Sequence, residues 1–337
     1  MAKRDLVVIG ASAGGVEALK HLISHLPDNF PATICIVLHV NPHGTSVMPQ
    51  ILARVGKMKA YHPRNHTHFE TSCIYIAPPN HHLIVKRGFL RVILGPKENG
   101  HRPAIDVLFR TAARCYSSRV IGVILSGTLD DGTAGLWKIK ERGGLAVVQD
   151  PADAFYPGMP QSAIDHVKVD YIRPLAEIAP LLERLVQEDV TELLHEEVEQ
   201  EDIAEMDKGS ELIQEPGGKP SLMMCPECGG VMREYEDGDI IRYRCHTGHG
   251  FTADTLMAEH AQYIEEAMWT AIRTLEDQAV LLRRLAERAE RRGSTIMIDR
   301  YRAQAQDVEE KATQLRNILM GGLVSERPES LESHEER

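Results

Sequence analysis

Residues 6–15 read LVVIGASAGG. An apolar run closes on Gly10, and Ser12 stands among Ala11, Ala13, Gly14 and Gly15, where the chain must turn. The pattern predicts a buried strand over Leu6–Gly10, then a tight turn into a helix over Gly14–His25. Such a turn can cradle a phosphate or present a nucleophile. A dinucleotide-binding turn needs a glycine at its middle position so that the backbone can approach the pyrophosphate, and Ser12 stands there. It also needs an acidic residue ending the second strand, but TICIVLHV ends at His39. No Gly-Lys-Ser/Thr follows, so a Walker loop fails as well. A nucleophile turn needs a serine flanked by small residues, a histidine within reach as base, and a carboxylate to orient that histidine. Ser12 and His39 lie at the ends of two strands, and VIGVILSGTLDDG places Asp130 and Asp131 at the end of a third. The N–H groups of the following helix, with Ala13 first among them, would suit a developing oxyanion.

Strand-like segments recur at Thr33–His39, Cys73–Ala77, Val120–Leu125, Leu145–Val148 and Val169–Ile172, with a hairpin across Leu83–Val85 and Phe89–Leu94. Helix-periodic segments alternate with them at Thr45–Val55, Ala104–Cys115, Asp131–Arg142 and Leu175–Val186. Continuously apolar strands alternating with helices predict an α/β fold, a doubly wound and mostly parallel sheet covered on both faces. Ligands in such sheets bind beyond the carboxyl ends of the strands.

The chain has 337 residues, 43% of them apolar, and a formal net charge of −11. Residues 187–215 hold twelve Asp/Glu and one Lys, which equals the whole imbalance. That charge argues against a nucleic-acid partner. No apolar run approaches the ~18–20 residues of a membrane span, and the N-terminus lacks signal-peptide character. Cys35, Cys73 and Cys115 are scattered in apolar contexts, as buried thiols are. A cytoplasmic protein is expected.

Taken in order, IGASAGG (9–15), LHV (38–40), YIAPPNHHLIV (75–85), RPAIDVLFRTAA (102–113), LSGTLDDGTAG (125–135) and GMP (158–160) resemble the catalytic domain of the chemotaxis protein-glutamate methylesterase family. The resemblance covers residues 5 to about 186. It implies hydrolysis of γ-glutamyl methyl esters on chemoreceptor helices with release of methanol, and deamidation of receptor glutamines. It matches the nucleophile to Ser12, the base to His39 and the orienting aspartate to Asp131 rather than Asp130. Ala13, Arg102, Asp106, Phe109, Thr128 and Met159 become the expected oxyanion and wall residues. No cofactor is implied for catalysis. The family's usual receiver domain has no counterpart ahead of Leu6, so control through a separate receiver-domain regulator is expected. Thr128-Leu129 stands where the family usually has Met-Gly, so the pocket there differs.

Cys225-x2-Cys228, sixteen intervening residues and Cys245-x3-His249 have the spacing of a tetrahedral structural Zn²⁺ site. His246 competes with His249 for the fourth place, and a redox pair is the other use of the CxxC. Two apolar series follow, one on Ile264, Met268, Ala271, Leu275, Gln278, Leu282, Leu285 and Ala289, the other on Ile298, Tyr301, Ala305, Val308, Ala312, Leu315 and Leu319. Arg291-Arg292-Gly293-Ser294 separates them, giving a helical hairpin suited to docking a partner or a second copy. The expected organisation is a catalytic domain over 1–186, an acidic linker over 187–222, a zinc-ribbon-like segment over 223–251, the hairpin over 252–322 and a disordered tail over 323–337. A catalytically silent scaffold working through its tail, and a nucleotide-binding switch, are the competing functions. A serine esterase needs a neutral His39, so its activity should fall below about pH 6–7. A pH–rate profile that stays flat down to about pH 5 would contradict this.

Overall fold

The computed structural model describes residues 2–191 and 217–321. Most of the expected acidic linker, and all of the expected tail over 323–337, lie outside those residues. The chain forms two compact units, Met1–Leu256 and Met257–Arg337.

The first unit carries β1 (Leu6–Ala11), α1 (Gly15–Ser24), β2 (Thr33–Leu38), α2 (Met48–Val55), β3 (Lys59–Tyr61) and β4 (Cys73–Ile76). Next come a hairpin of β5 (His82–Lys86) and β6 (Phe89–Ile93), then α3 (Ile105–Tyr116), β7 (Val120–Ile124), α4 (Thr133–Glu141), β8 (Leu145–Gln149), α5 (Gly158–His166), β9 (Tyr171–Arg173) and α6 (Leu175–Leu185). Seven strands form one sheet in the order β9-β8-β7-β1-β2-β4-β3, every pairing parallel. Successive side chains of a strand point to opposite faces, and both faces here are apolar. Val7, Ile9 and Ala11 join the core under α1, α2 and α6, while Leu6 and Val8 join the one under α3, α4 and α5. This is why the strands read as unbroken apolar runs. At Gly10 a Cβ would come within 2.4 Å of Ile105, so glycine there lets α3 lie close on the sheet.

Two of the elements named above had no sequence signal. Strand β3 is a three-residue edge strand, and α5 opens on Gly-Met-Pro with little amphipathic contrast. Several boundaries move: α2 begins at Met48 rather than Thr45, β9 at Tyr171 rather than Val169, and α4 at Thr133 rather than Asp131. Gly132 at φ +101° caps it and leaves Asp131 free of the helix.

The remaining part of the first unit is a four-stranded antiparallel ribbon, β10 (Lys219–Met224), β11 (Val231–Asp237), β12 (Ile240–Cys245) and β13 (Gly250–Thr252). Its small core holds Cys225, Met232, Cys245, Phe251 and Leu256. Helix α7 (Ala253–Glu290) gives its first turn to this unit and the rest to the second.

In the second unit α7 pairs with α8 (Thr295–Met320). Ion pairs join Glu290 to Arg302 at 3.4 Å, Arg283 to Glu309, and Glu276 to Arg316. They advance by seven residues on one helix as they retreat by seven on the other, which fixes an antiparallel register. The second apolar series is the buried face of α8, centred on Ala305, Val308 and Ala312. The first series is half displaced. Ile272, Ala279 and Ala286 are buried, whereas Ala271, Gln278 and Ile264 are exposed. Small residues on both helices permit close approach, so Ala286 fills the seam and the larger Leu285 lies at its flank. Ala279→Glu would bury an unpaired charge and should destabilise this unit by roughly 2–4 kcal/mol, whereas Gln278→Glu should be nearly silent. Urea unfolding followed by far-UV circular dichroism separates the two registers.

Candidate active site and metal cluster

Strand register brings the first two site residues together. Ala11 pairs with Leu38, so Ser12 and His39 leave the sheet side by side. The Ser12 N–H donates to the Ser126 carbonyl (3.0 Å) and the His39 N–H to the Ala11 carbonyl (3.1 Å). Ser126 braces the turn further: its hydroxyl donates to the Ala13 carbonyl at 2.8 Å and accepts the Tyr156 N–H at 2.9 Å. Gly14 sits at φ +73°, and a Cβ there would lie 2.7 Å from the Ser126 hydroxyl, so conformation and space both require glycine.

His39 presents Nδ1 to the Ser12 hydroxyl at 3.1 Å and donates from Nε2 to Asp131 Oδ2 at 2.8 Å. The two ring nitrogens thus have the opposite assignment to that of chymotrypsin-like proteases. Asp131 is 2% exposed. Its Oδ2 also accepts the Ile105 N–H at 2.7 Å, and its Oδ1 accepts from Asn99 Nδ2 at 2.9 Å and the Asp106 N–H at 3.2 Å. Burial opposes a charge on Asp131, but His39, His101 and the Ile105 N–H outweigh it and hold the carboxyl below its usual range. Asp106 moves the other way, pushed well up by burial and then by the charges of Asp131 and Glu98. Environments that drive two neighbouring carboxyls apart assign them different states, and here the charge stays on the one facing histidine.

His101 stacks on His39 with ring centroids 3.7 Å apart. Burial, and then the proximity of His39, push His101 down to about 4, so it is neutral where an esterase would work. Its flat ring fixes the plane of the His39 imidazole.

The expected wall residues separate. Met159 is buried beside Ser12, both packing on Gly127. Thr128 is exposed at the mouth of the site. Nothing among the described residues accepts the Ala13 N–H, leaving that donor free beside the serine. Asp106 lies under the site rather than lining it, accepting the N–H groups of Gly132 (3.0 Å) and Gly135 (2.6 Å). Arg102 spends its fork on the Asn80 side chain and the Gly95 carbonyl, tying two loops. Phe109 is wholly inside the core against Gly122 and Gly135, because the inward face of α3 points at the sheet. It is not a pocket wall.

The ligand atoms of Cys225, Cys228, Cys245 and His249 lie within 4.8 Å of one another. Three edges are short: Cys225 Sγ to His249 Nδ1 at 3.7 Å, Cys245 Sγ to His249 Nδ1 at 3.6 Å, and Cys228 Sγ to Cys245 Sγ at 3.7 Å. A tetrahedral zinc with Zn–S of ~2.3 Å spans sulfurs about 3.8 Å apart, so these residues fit that ion. His246 is exposed and outside the cluster, so the fourth place falls to His249. The Thr247 hydroxyl draws the Cys228 thiol down to about 6, while burial pushes Cys225 up to about 12; a divalent cation would take both as thiolates.

Geometry of this kind defines a class: hydrolases of α/β architecture that present a serine at the carboxyl edge of a parallel sheet. The CheB methylesterase family model matches residues 7–182. The chain belongs to that family, and with it to the hydrolases. A protein-glutamate methylesterase/protein-glutamine glutaminase of Trichodesmium erythraeum is 36% identical over 181 residues, which are 52% of this chain and 51% of that protein. A Leptospira interrogans protein described as a "putative protein-glutamate methylesterase/protein-glutamine glutaminase" is 42% identical over 184 residues, 54% of this chain and 95% of the relative. The crystal structure of the Thermotoga maritima CheB methylesterase catalytic domain aligns with TM-score 0.53 and 34% identity, covering 55% of this chain and 100% of that one. The matched part stops before the ribbon and the helical hairpin.

Replacing Asp131 by Asn would set an amide NH₂ against donors that need an acceptor. Asp131→Asn should therefore cut the reactivity of Ser12 by roughly 10⁴, as amide replacement does in serine proteases. Labelling kinetics with a fluorophosphonate measure that loss.

Proposed function

We propose that the protein is a protein-glutamate methylesterase that hydrolyses γ-glutamyl methyl esters on a chemoreceptor or related cytoplasmic signalling protein, and can deamidate glutamine at the same site. The observation that carries this reading is the hydrogen-bonded chain from the Ser12 hydroxyl through His39 to the buried Asp131 carboxylate. Ser12 Oγ attacks the ester carbonyl as His39 Nδ1 takes its proton. Asp131 stabilises the imidazolium through Nε2–H. The Ala13 N–H is the candidate oxyanion donor, and such donors contribute about 3–4 kcal/mol in serine enzymes. Collapse of the tetrahedral intermediate breaks the bond to methoxide, which leaves as methanol with the proton from Nδ1. Water then attacks the acyl-Ser12 ester, again giving its proton to Nδ1, and the products are glutamate and free Ser12. For glutamine the leaving group is ammonia.

A protein substrate suits the mouth of the site, where Phe155 is 80% exposed beside Tyr156. Such a rim offers apolar contact to a helix that brings its modified side chain inward. Among the described residues no helix is long and apolar enough to cross a membrane. Cys225, Cys228, Cys245 and His249 are proposed to hold a structural Zn²⁺; with all four positions filled by protein, the ion would have no open position for the ester or for water. The α7–α8 hairpin is the proposed docking element for a second copy or a regulator.

Wild-type protein should be labelled by a fluorophosphonate at one site and should release methanol from a receptor-derived peptide carrying a γ-glutamyl methyl ester. Both activities should vanish in Ser12→Ala. Failure of the wild-type protein to label would leave the silent scaffold as the better reading.

A further inference from the structure

The ribbon packs against the underside of the site rather than beside it. Strand β13 lies along the segment Lys97–Asn99, whose Asn99 reaches Asp131. The Asn99 N–H donates to the Gly250 carbonyl at 2.8 Å, and the Thr252 N–H donates to Asn99 Oδ1 at 3.0 Å. These two bonds hold a residue whose backbone is left-handed, at φ +52°. They also decide which way its carboxamide faces. With Oδ1 taken by Thr252, the NH₂ must point the other way, and it donates to Asp131 Oδ1 and Asp106 Oδ2 at 2.9 Å each. A carboxamide turned over would put its oxygen against two carboxyls. A second route runs one residue earlier: the Thr255 hydroxyl donates to Asp130 Oδ1 at 2.5 Å, next to Asp131 in the chain. A third fixes the segment itself, since Arg244 of the ribbon pairs with buried Glu98 at 3.0 Å, and Glu98 also pairs with Arg110 of α3.

The metal cluster sits at the root of this contact. Cys245 ends β12, His249 immediately precedes β13, and the turn between them joins the two strands, with Arg244 opposite Gly250 and Arg242 opposite Thr252. The ribbon core has five buried residues, two of them ligands of the cluster, too few to hold such a sheet in register without the ion.

We propose that the ribbon is a positioning element of the active site: by orienting Asn99 through Gly250 and Thr252, and Asp130 through Thr255, it sets Asp131 against His39, and metal ligation at Cys225, Cys228, Cys245 and His249 makes the site competent. This rests on the serine-esterase and zinc readings above. It makes zinc a permissive ligand for a reaction in which the ion touches no substrate.

The test uses the full chain with four readouts: zinc content by mass spectrometry, the fluorophosphonate labelling rate across pH, the downfield N–H proton resonance of His39 bonded to Asp131, and thermal unfolding of the α/β unit. Stripping zinc, or Cys228→Ser, should slow labelling about 10- to 100-fold, the scale on which outer partners of a functional group are felt. It should also shift the pH profile and broaden the downfield resonance while the α/β unit still melts cooperatively. Added Zn²⁺ should restore the wild-type chain. Asn99→Ala should reproduce these losses with zinc still bound, and Thr255→Val, which removes only a hydroxyl, serves if that variant does not fold. Folded, zinc-free protein that labels at the wild-type rate with an unchanged pH profile would overturn the proposal. Two other failures are told apart from this one and also overturn it: zinc-loaded wild type that never labels, which removes the esterase reading, and active wild type that binds no zinc, which removes the metal reading.

Discussion

A negative charge held out of water is the constraint on which this active site rests. In the proposed mechanism Asp131 must stay ionised to orient and stabilise His39, yet it is almost wholly buried. An isolated buried carboxylate is untenable, and burial is tolerated only when its lone pairs are satisfied. Four donors do this, from three stretches of structure: His39 from the end of β2, Ile105 and Asp106 from the start of α3, and Asn99 from the segment under the ribbon. The neighbouring Asp106 is pushed up instead, which spares the site two adjacent charges. The pair has opposite effects on stability. The contribution of Asp131 is present above the unfolded-state carboxylate range and is lost as pH falls through its lowered value. That of Asp106 is present below that range and is lost as pH rises through its raised value.

Much of this was legible in the sequence because a parallel sheet converts strand order into proximity. LVVIG and TICIVL can be read as buried strands from apolarity alone, and once they are neighbours in register, Ser12 and His39 must emerge together. The Cys225, Cys228, Cys245 and His249 spacing was legible for a similar reason, since ligands at the two ends of short turns are brought together by local geometry. Asn99, His101 and Ser126 were not. They act through hydrogen bonds or a ring stack formed mostly across long sequence separations, and no period or spacing marks such contacts. The Asn99-Gly100 pair did carry a turn signal, with both residues at positive φ, but a turn signal does not say what the asparagine side chain faces.

The misreadings share a cause. Phe109 was an expected wall residue because the motif around it is functional, but a helix that supplies Ile105 and Asp106 N–H groups to the site must direct its next inward side chains at the sheet. The seam of α7 was displaced because larger apolar residues outweigh alanine in a hydrophobic pattern. Helix–helix contact favours the opposite when both faces carry alanine, since close approach buries backbone and Cβ surface that bulky side chains would hold apart. In both cases residue character was legible and direction was not, because direction is fixed by the partner.

On the reading proposed above, the ribbon would take part in a reaction without contributing a reacting atom. Its contacts reach Asp131 through a single side chain, Asn99, whose carboxamide has two faces of opposite polarity. A group of that kind is a sensitive relay, because one accepted hydrogen bond on Oδ1 determines where its two donors point. Loss of that bond would turn a stabilising donor into a repelling acceptor beside a carboxylate that has no water to turn to. The relay is therefore sensitive to the exact placement of Thr252, and Thr252 lies three residues from His249 of the Cys/His cluster, on the shortest strand of the ribbon. An active site whose central charge depends on a strand of that size is coupled to whatever holds the strand in register.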